Sequence, residues 1–189
     1  ATLLLQGIFD LSQLTGILVG ATLVSFLGFW DDRFSLSAWT KLAAQCIAVV
    51  LLIVTGVSDS IFPLNVLNYG ITLVWVIGIT NALNLLDNMD GLAGGVSLIA
   101  AGFLAYFFWR LGDLSLWLMV LALGGSILGF LVFNFPPARI FMGDCGSLFL
   151  GFTLAELAIA RNAQASNVIA VLGIPVLIFL LPILDTSLV

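Results

Sequence analysis

Charge is scarce in this chain. Asp, Glu, Lys and Arg make up only 8% of the 189 residues, five residues are basic, and histidine is absent. A net charge of −5 with no Lys/Arg run leaves no electrostatic footprint for DNA or RNA, so nucleic acid is not an expected partner. Cysteine is nearly missing too. Cys46 and Cys145 lie in different segments without metal-ligand spacing and read as small apolar residues. Low-complexity linkers and repeats are lacking, and the first apolar run has neither the basic start nor the small-residue cleavage site of a signal peptide.

What fills the chain is apolar. Hydrophobic residues reach 62% and the mean hydropathy is +1.25, a composition that excludes a water-soluble globule. The expectation is an all-α, polytopic transmembrane helix bundle whose solvent is the lipid bilayer. Crossing a hydrocarbon core of ~30 Å takes about 20 helical residues. Seven runs approach that length, near 12–30, 38–57, 69–85, 93–110, 115–133, 147–161 and 167–184. The sixth is short, so the Gly-rich stretch before it is expected to belong to it. The pairs Gly16/Gly20 and Gly125/Gly129 are small-xxx-small signals for close helix approach. The whole of 1–189 reads as one membrane domain. Its start at Ala1 and stop at Val189, directly after an apolar run, suggest an internal fragment of a longer protein with spans missing at both ends.

Alternation of seven spans puts three carboxylate-bearing loops on one side: Asp31-Asp32, then 81–91, then 134–146. Arg33, Lys41 and Arg139 fall on that side, against Arg110 and Arg161 opposite, a bias toward a cytoplasmic placement of the motifs. Charged groups are costly near hydrocarbon, so aspartates gathered at one membrane face call for a chemical reason. A metal and a phosphate supply one.

Asp31 and Asp32 end the first span, and adjacent carboxylates on a helix end point ~100° apart. One can face a substrate while the other meets a cation or a donor, and their repulsion raises one pKa, as a general base needs. A hydrated loop that stops the helix from sliding is the plainer alternative. In the second loop Asn81, Asn84, Asp87 and Asp90 recur every three residues, which keeps them roughly on one face of a helix or its frayed end. Amides and carboxylates are hard oxygen ligands that suit Mg²⁺, which binds one or two carboxylates plus substrate phosphates. A structural polar ladder between helices is the competing reading. Gly91 and the Gly94-Gly95 pair allow a tight turn against a ligand.

In the third loop Pro136 and Pro137 break the helix and Asp144 stands where it restarts. There the backbone N–H groups and the helix dipole assist binding of an anion or phosphate, or Asp144 simply caps the helix. Arg139 can pair with a phosphate and Phe141 offers a flat surface for a base; both also suit interfacial anchors. Glu156, inside the sixth run, is expected to hydrogen-bond a neighbouring helix.

Asp31-Asp32, the string NALNLLDNMDGLAGG at 81–95 and NFPPARIFMGDCGSL at 134–148, in this order and spacing, resemble the polyprenyl-phosphate N-acetylhexosamine-1-phosphate transferases. Within that superfamily, which includes the phospho-MurNAc-pentapeptide transferases, Asp-Asp-Arg at 31–33 looks more like the branch using UDP-GlcNAc. The resemblance implies transfer of a sugar 1-phosphate from a UDP-sugar to undecaprenyl phosphate, releasing UMP and starting the assembly of a lipid-linked cell-envelope glycan. It implies a site at the cytoplasmic face of the bacterial inner membrane, Mg²⁺ or alternatively Mn²⁺ as cofactor, and is compatible with a homodimer. It assigns Mg²⁺ to Asp144, a catalytic or metal-supporting role to Asp87, and the lipid phosphate to Asp31 and Asp32, with Asp31 as the base. Asn84, Asp90, Asn134 and Phe141 match positions around the nucleotide, Phe141 stacking on uracil, and Asn81 is counted with them as substrate-binding. Direct attack and an aspartyl-phosphate intermediate both remain open.

Two features depart from the pattern: Asn88 stands where the family commonly has glycine, and the expected His-containing loop is absent. Two other classes compete. Asn84-xx-Asp87-xx-Asp90 approximates the diphosphate motif of an intramembrane prenyltransferase, and an ion-coupled transporter would place acids at mid-membrane, where only Glu156 qualifies.

Overall fold

Hydrophobic runs punctuated by Gly, Pro and Asp become six helices in the computed structural model, which describes residues 11–56 and 65–160. They are α1 (Leu11–Phe34), α2 (Ala38–Val54), α3 (Asn65–Leu86), α4 (Leu92–Leu111), α5 (Leu114–Asn134) and α6 (Gly143–Ile159). No strand occurs among the described residues. Local chemistry sets the boundaries. Ser37 caps α2 by accepting the Thr40 N–H at 3.2 Å, and Asp113 caps α5 by accepting that of Leu116 at 3.2 Å. Gly112, at φ 71°, closes α4 in the left-handed conformation. As expected, α6 takes in the glycines before position 147.

Four helices, covering 14–34, 66–86, 92–111 and 114–134, are long and apolar enough to cross a membrane. Helices α2 and α6 have 17 residues each, about 26 Å at 1.5 Å per residue, somewhat less than the ~30 Å core. The first six expected spans therefore correspond to helices, but only four meet the length for a full crossing. The seventh, at 167–184, lies outside the described residues, as does Arg161.

The surface is apolar outward, as a lipid-facing bundle requires. Large side chains such as Val74, Ile99, Phe103 and Leu121 are exposed along mid-helix. Aromatics gather at the two ends. Phe26, Trp30 and Phe34 form an outward stripe on α1, with ring centroids 6.1 and 5.1 Å apart, level with the aspartates. Tyr106 and Trp109 mark the opposite end of α4. Such belts sit at membrane–water interfaces, which makes this an integral membrane protein with its acidic loops at one interface.

Helix α6 is the central post. It is buried from Ser147 to Leu157 except for half-buried Phe149, and packs against α1, α3 and α4. Glycine makes two of these contacts close. A Cβ on Gly28 of α1 would lie 2.4 Å from the Asp144 carbonyl oxygen and 2.6 Å from Cys145 Cα, and one on Gly151 of α6 would lie 2.7 Å from Thr80 Cα of α3. Gly16 and Gly20 likewise abut Thr55 and Phe152. Gly125 and Gly129 do not follow suit. Nothing lies within 4 Å of a Cβ at either, because both face outward from α5, so that expected interface is absent among the described residues. Gly28→Ala meets backbone, which cannot rotate away. We expect it to cost about 3 kcal/mol and to separate Asp31 and Asp32 from Asp144, read as a lower melting temperature together with lost activity in the full-length protein.

Candidate active site

The end of α1, the starts of α2 and α6 and the end of α3 meet at one interface, and each delivers a polar side chain. Asp31, in the last turn of α1, is only 8% exposed. It accepts the Leu36 N–H at 2.6 Å and pairs with Lys41 of α2. Lys41 Nζ also reaches Asp144 Oδ2 at 2.9 Å, bridging two carboxylates whose positions lie 113 residues apart in sequence. Asp144 is completed by Asn84 of α3, whose Nδ2 donates to Oδ1 at 2.9 Å and also to Ser147 Oγ at 2.9 Å.

Asp32 points elsewhere, as adjacent helical positions must. Its Oδ1 accepts the Asp144 N–H at 2.8 Å and its Oδ2 that of Cys145 at 3.1 Å. The residue preceding α6, Met142, offers no capping side chain, so a carboxylate from α1 caps α6 instead. Asp144 is thus not its helix's own cap.

Asp87 sits just past the end of α3, half-buried. Its carboxyl is pushed up to about 6, first by burial, then by the negative fields of Asp144 and Asp32, and is partly drawn back by a backbone hydrogen bond from Gly143. The folded protein therefore holds this proton more tightly than the unfolded chain, with its reference value of 3.8. The stability so gained is complete below pH 3.8 and lost as pH rises through about 6. Asp87→Asn, which never ionises, should melt above the parent at pH 7.5 in a chelating buffer, and that gap should close near pH 4. An equal gap at both pH values would contradict this account.

The three-residue ladder does not keep one face. A step of three lags the helix by about 60°, and α3 ends at Leu86, so the four side chains fan out. Asn81 turns to α2, donating to Gln45 Oε1 at 2.8 Å and accepting from its Nε2 at 3.3 Å. Asn84 turns to α6, Asp87 to Gly143, and Asp90 to the last loop, where its Oδ2 accepts the Ala138 N–H at 3.0 Å. Asn134 is buried between loops, and Phe141 is 77% exposed beside a cavity of ≈ 310 Å³ between α5 and α6. The structure thus gathers Asp31, Asp32, Asn84, Asp87 and Asp144, with Asp90 and Asn134 stitching adjoining loops. It leaves Asn81 in a helix–helix amide pair and Phe141 on the surface.

Lys41 is the residue that sequence reasoning passed over, counted only as a charge near a membrane face. A signal was present: a cation in the first turn of a helix opposes the macrodipole and needs another reason to be there. Glu156 also departs from expectation. It is fully buried, yet neither carboxylate oxygen has a hydrogen-bond partner among the described residues.

Among the described residues no three Asp, Glu, Cys or His side chains stand close enough to hold a metal ion by themselves. The donor set still suits one. Asp31 and Asp144 pair with Lys41, Asp32 caps α6 beside them, and the negative fields of Asp144 and Asp32 add to burial in raising Asp87. Hard oxygens in this number fit a divalent ion that completes its shell with phosphate and water.

The sequence model of glycosyl transferase family 4 matches residues 14–162, a span holding all of these side chains. A probable undecaprenyl-phosphate N-acetylglucosaminyl 1-phosphate transferase of Bacillus subtilis (strain 168) is 36% identical over 196 residues, covering 99% of this chain and 54% of its own. A decaprenyl-phosphate N-acetylglucosaminephosphotransferase of Mycobacterium leprae (strain TN) is 33% identical, covering 95% of this chain and 54% of its own. A phospho-N-acetylmuramoyl-pentapeptide-transferase of Lactiplantibacillus plantarum is 38% identical over 74% of this chain and 50% of its own. The chain thus spans about half the length of these relatives. With a family match over most of its length and the loops of that match meeting at one membrane interface, the chain belongs to glycosyl transferase family 4.

Proposed function

We propose that the protein transfers a sugar 1-phosphate, GlcNAc-1-phosphate by preference, from a UDP-sugar to undecaprenyl phosphate, releasing UMP at the cytoplasmic face of the inner membrane. The observation that carries this reading is the meeting of Asp31, Asp32, Asp87 and Asp144 at one bundle end, with Lys41 bridging Asp31 and Asp144. That end lies at an interface, where a lipid's phosphate and a soluble nucleotide can both arrive. The wider coverage by the two N-acetylglucosamine relatives, 99% and 95% against 74%, favours GlcNAc over the pentapeptide donor. The prenyltransferase alternative loses support because Asn84, Asp87 and Asp90 turn to three different neighbours.

Each side chain then has a task. Lys41 holds Asp31 and Asp144 together and offsets part of their charge. Asp32 fixes the start of α6, and with it the orientation of Asp144. Asp144, with Asp87 beside it once ionised, is the place for Mg²⁺ or Mn²⁺, which when bound supplies neutralisation of the diphosphate's charge. In the reaction an oxygen of the lipid phosphate forms a bond to the phosphorus bearing the sugar, and the bond from that phosphorus to the UMP oxygen breaks.

The test uses membranes carrying the full-length protein, undecaprenyl phosphate and a panel of UDP-sugars, with the lipid product identified by mass. A product heavier by GlcNAc-1-phosphate, with stoichiometric UMP, is expected. A prenylated product, or no product from any UDP-sugar, would refute the reading.

A further inference from the structure

The two side chains that donate to the Asp144 carboxylate come from different helices. Lys41 of α2 reaches Oδ2 and Asn84 of α3 reaches Oδ1, each at 2.9 Å. One turn further from the interface the same two helices are tied by an amide pair. Gln45, the next turn of α2 after Lys41, is 1% exposed and stands on the stripe that α2 buries through Ala48, Val49 and Leu52. Its Oε1 accepts from Asn81 Nδ2 at 2.8 Å, and its Nε2 donates to Asn81 Oδ1 at 3.3 Å. Asn81 precedes Asn84 by one turn of α3, and its Nδ2 also donates to Ile77 O of its own helix at 2.8 Å, which fixes the rotation of the amide.

We infer that the Gln45–Asn81 pair is a strut that sets the α2–α3 spacing at which Lys41 and Asn84 reach opposite oxygens of Asp144 together, which makes Gln45 a positioning residue of the site. Apolar side chains would fill the same space, but their attraction is non-directional, whereas two reciprocal amide bonds accept one length and one register. Four helical residues rise only about 6 Å, so a shift of α2 at Gln45 is carried to Lys41. Gln45 acts through the helix it anchors rather than on the reacting groups. Its effect on catalysis rests on the sugar-phosphate transfer proposed above; the strut does not.

Melting of the full-length protein tests the strut without any substrate. Gln45→Leu and Asn81→Leu keep the bulk and remove the bonds, and each should lower the melting temperature by about 3 °C. The double variant should fall no further than the worse single one, because either change alone breaks both bonds. Additive losses would overturn the strut. The link to the site is read at Lys41. Lys41→Met should lower the melting temperature less in Gln45→Leu than in the parent, since the cation is already displaced there, and an equal drop in both backgrounds would overturn the positioning role. Should Gln45→Leu fail to fold, the exchanged pair Gln45→Asn/Asn81→Gln, which keeps the combined length, decides: a melting temperature above that of Gln45→Asn alone supports the strut, and no recovery overturns it. In transfer assays Gln45→Leu should lose about tenfold in kcat, and the exchanged pair should regain most of that loss. An exchanged pair that regains the melting temperature but not the activity would overturn the positioning role. If the wild type transfers from no UDP-sugar, the function reading fails and the melts still decide the strut.

Discussion

Asp144→Asn in the full-length protein should reduce UMP release by about a thousandfold while the protein still folds. The amide keeps an oxygen for Asn84, and Asp31 still holds Lys41, so the local geometry has what it needs to persist. What disappears is the charge on which the proposed cation and the field at Asp87 depend. Thermal melts should therefore agree with the parent to within about 3 °C, and added Mg²⁺ should raise the parent's melting temperature but not the variant's. Activity within tenfold of the parent would count against Asp144 as the centre of the site. A variant that fails to fold would show instead that the charge is structural.

Lys41→Met should damage both stability and activity. It strips the cation from two carboxylates at once, one of them the buried Asp31, and Asp32 and Asp87 stand close by. Removing one partner of a buried pair is costlier than the pair was worth, because the other charge stays behind. Lys41 is 26% exposed at its side chain, so solvent softens the loss to about 2 kcal/mol, or roughly 4 to 8 °C in melting temperature. Activity should drop about a hundredfold or more as Asp144 loses its orientation. The double variant Lys41→Met/Asp31→Asn makes the account specific. It should recover most of the stability and little of the activity, whereas additive losses would mean that Lys41 and Asp31 act independently.

Much of the fold was legible because lipid imposes one rule on every outward face, and runs of apolar residues report it directly. Side-by-side placement of the three loops followed from alternation alone. Legibility failed where a side chain's partner lies far along the chain. Spacing by threes said that Asn81, Asn84, Asp87 and Asp90 belong together, yet the 60° lag and the helix end at Leu86 send them to four neighbours. Lys41 looked like a topological charge since nothing within its own segment shows Asp31 and Asp144 reaching for it. Gly125 and Gly129 carried the same pattern as Gly16 and Gly20 but face outward, since a pattern of small residues names a capacity for contact and not a contact.

Protein walls rather than acyl chains surround α6, and this bears on how the molecule is made. Thr153 and Glu156 lie deep along its length and are shielded there by neighbouring helices, so protein rather than lipid is the setting that suits this segment once folded. The walls it packs against belong to α1, α3 and α4, all made earlier in synthesis. The side chain at the heart of the site is therefore installed last among the aspartates described here, and only into a vestibule already assembled.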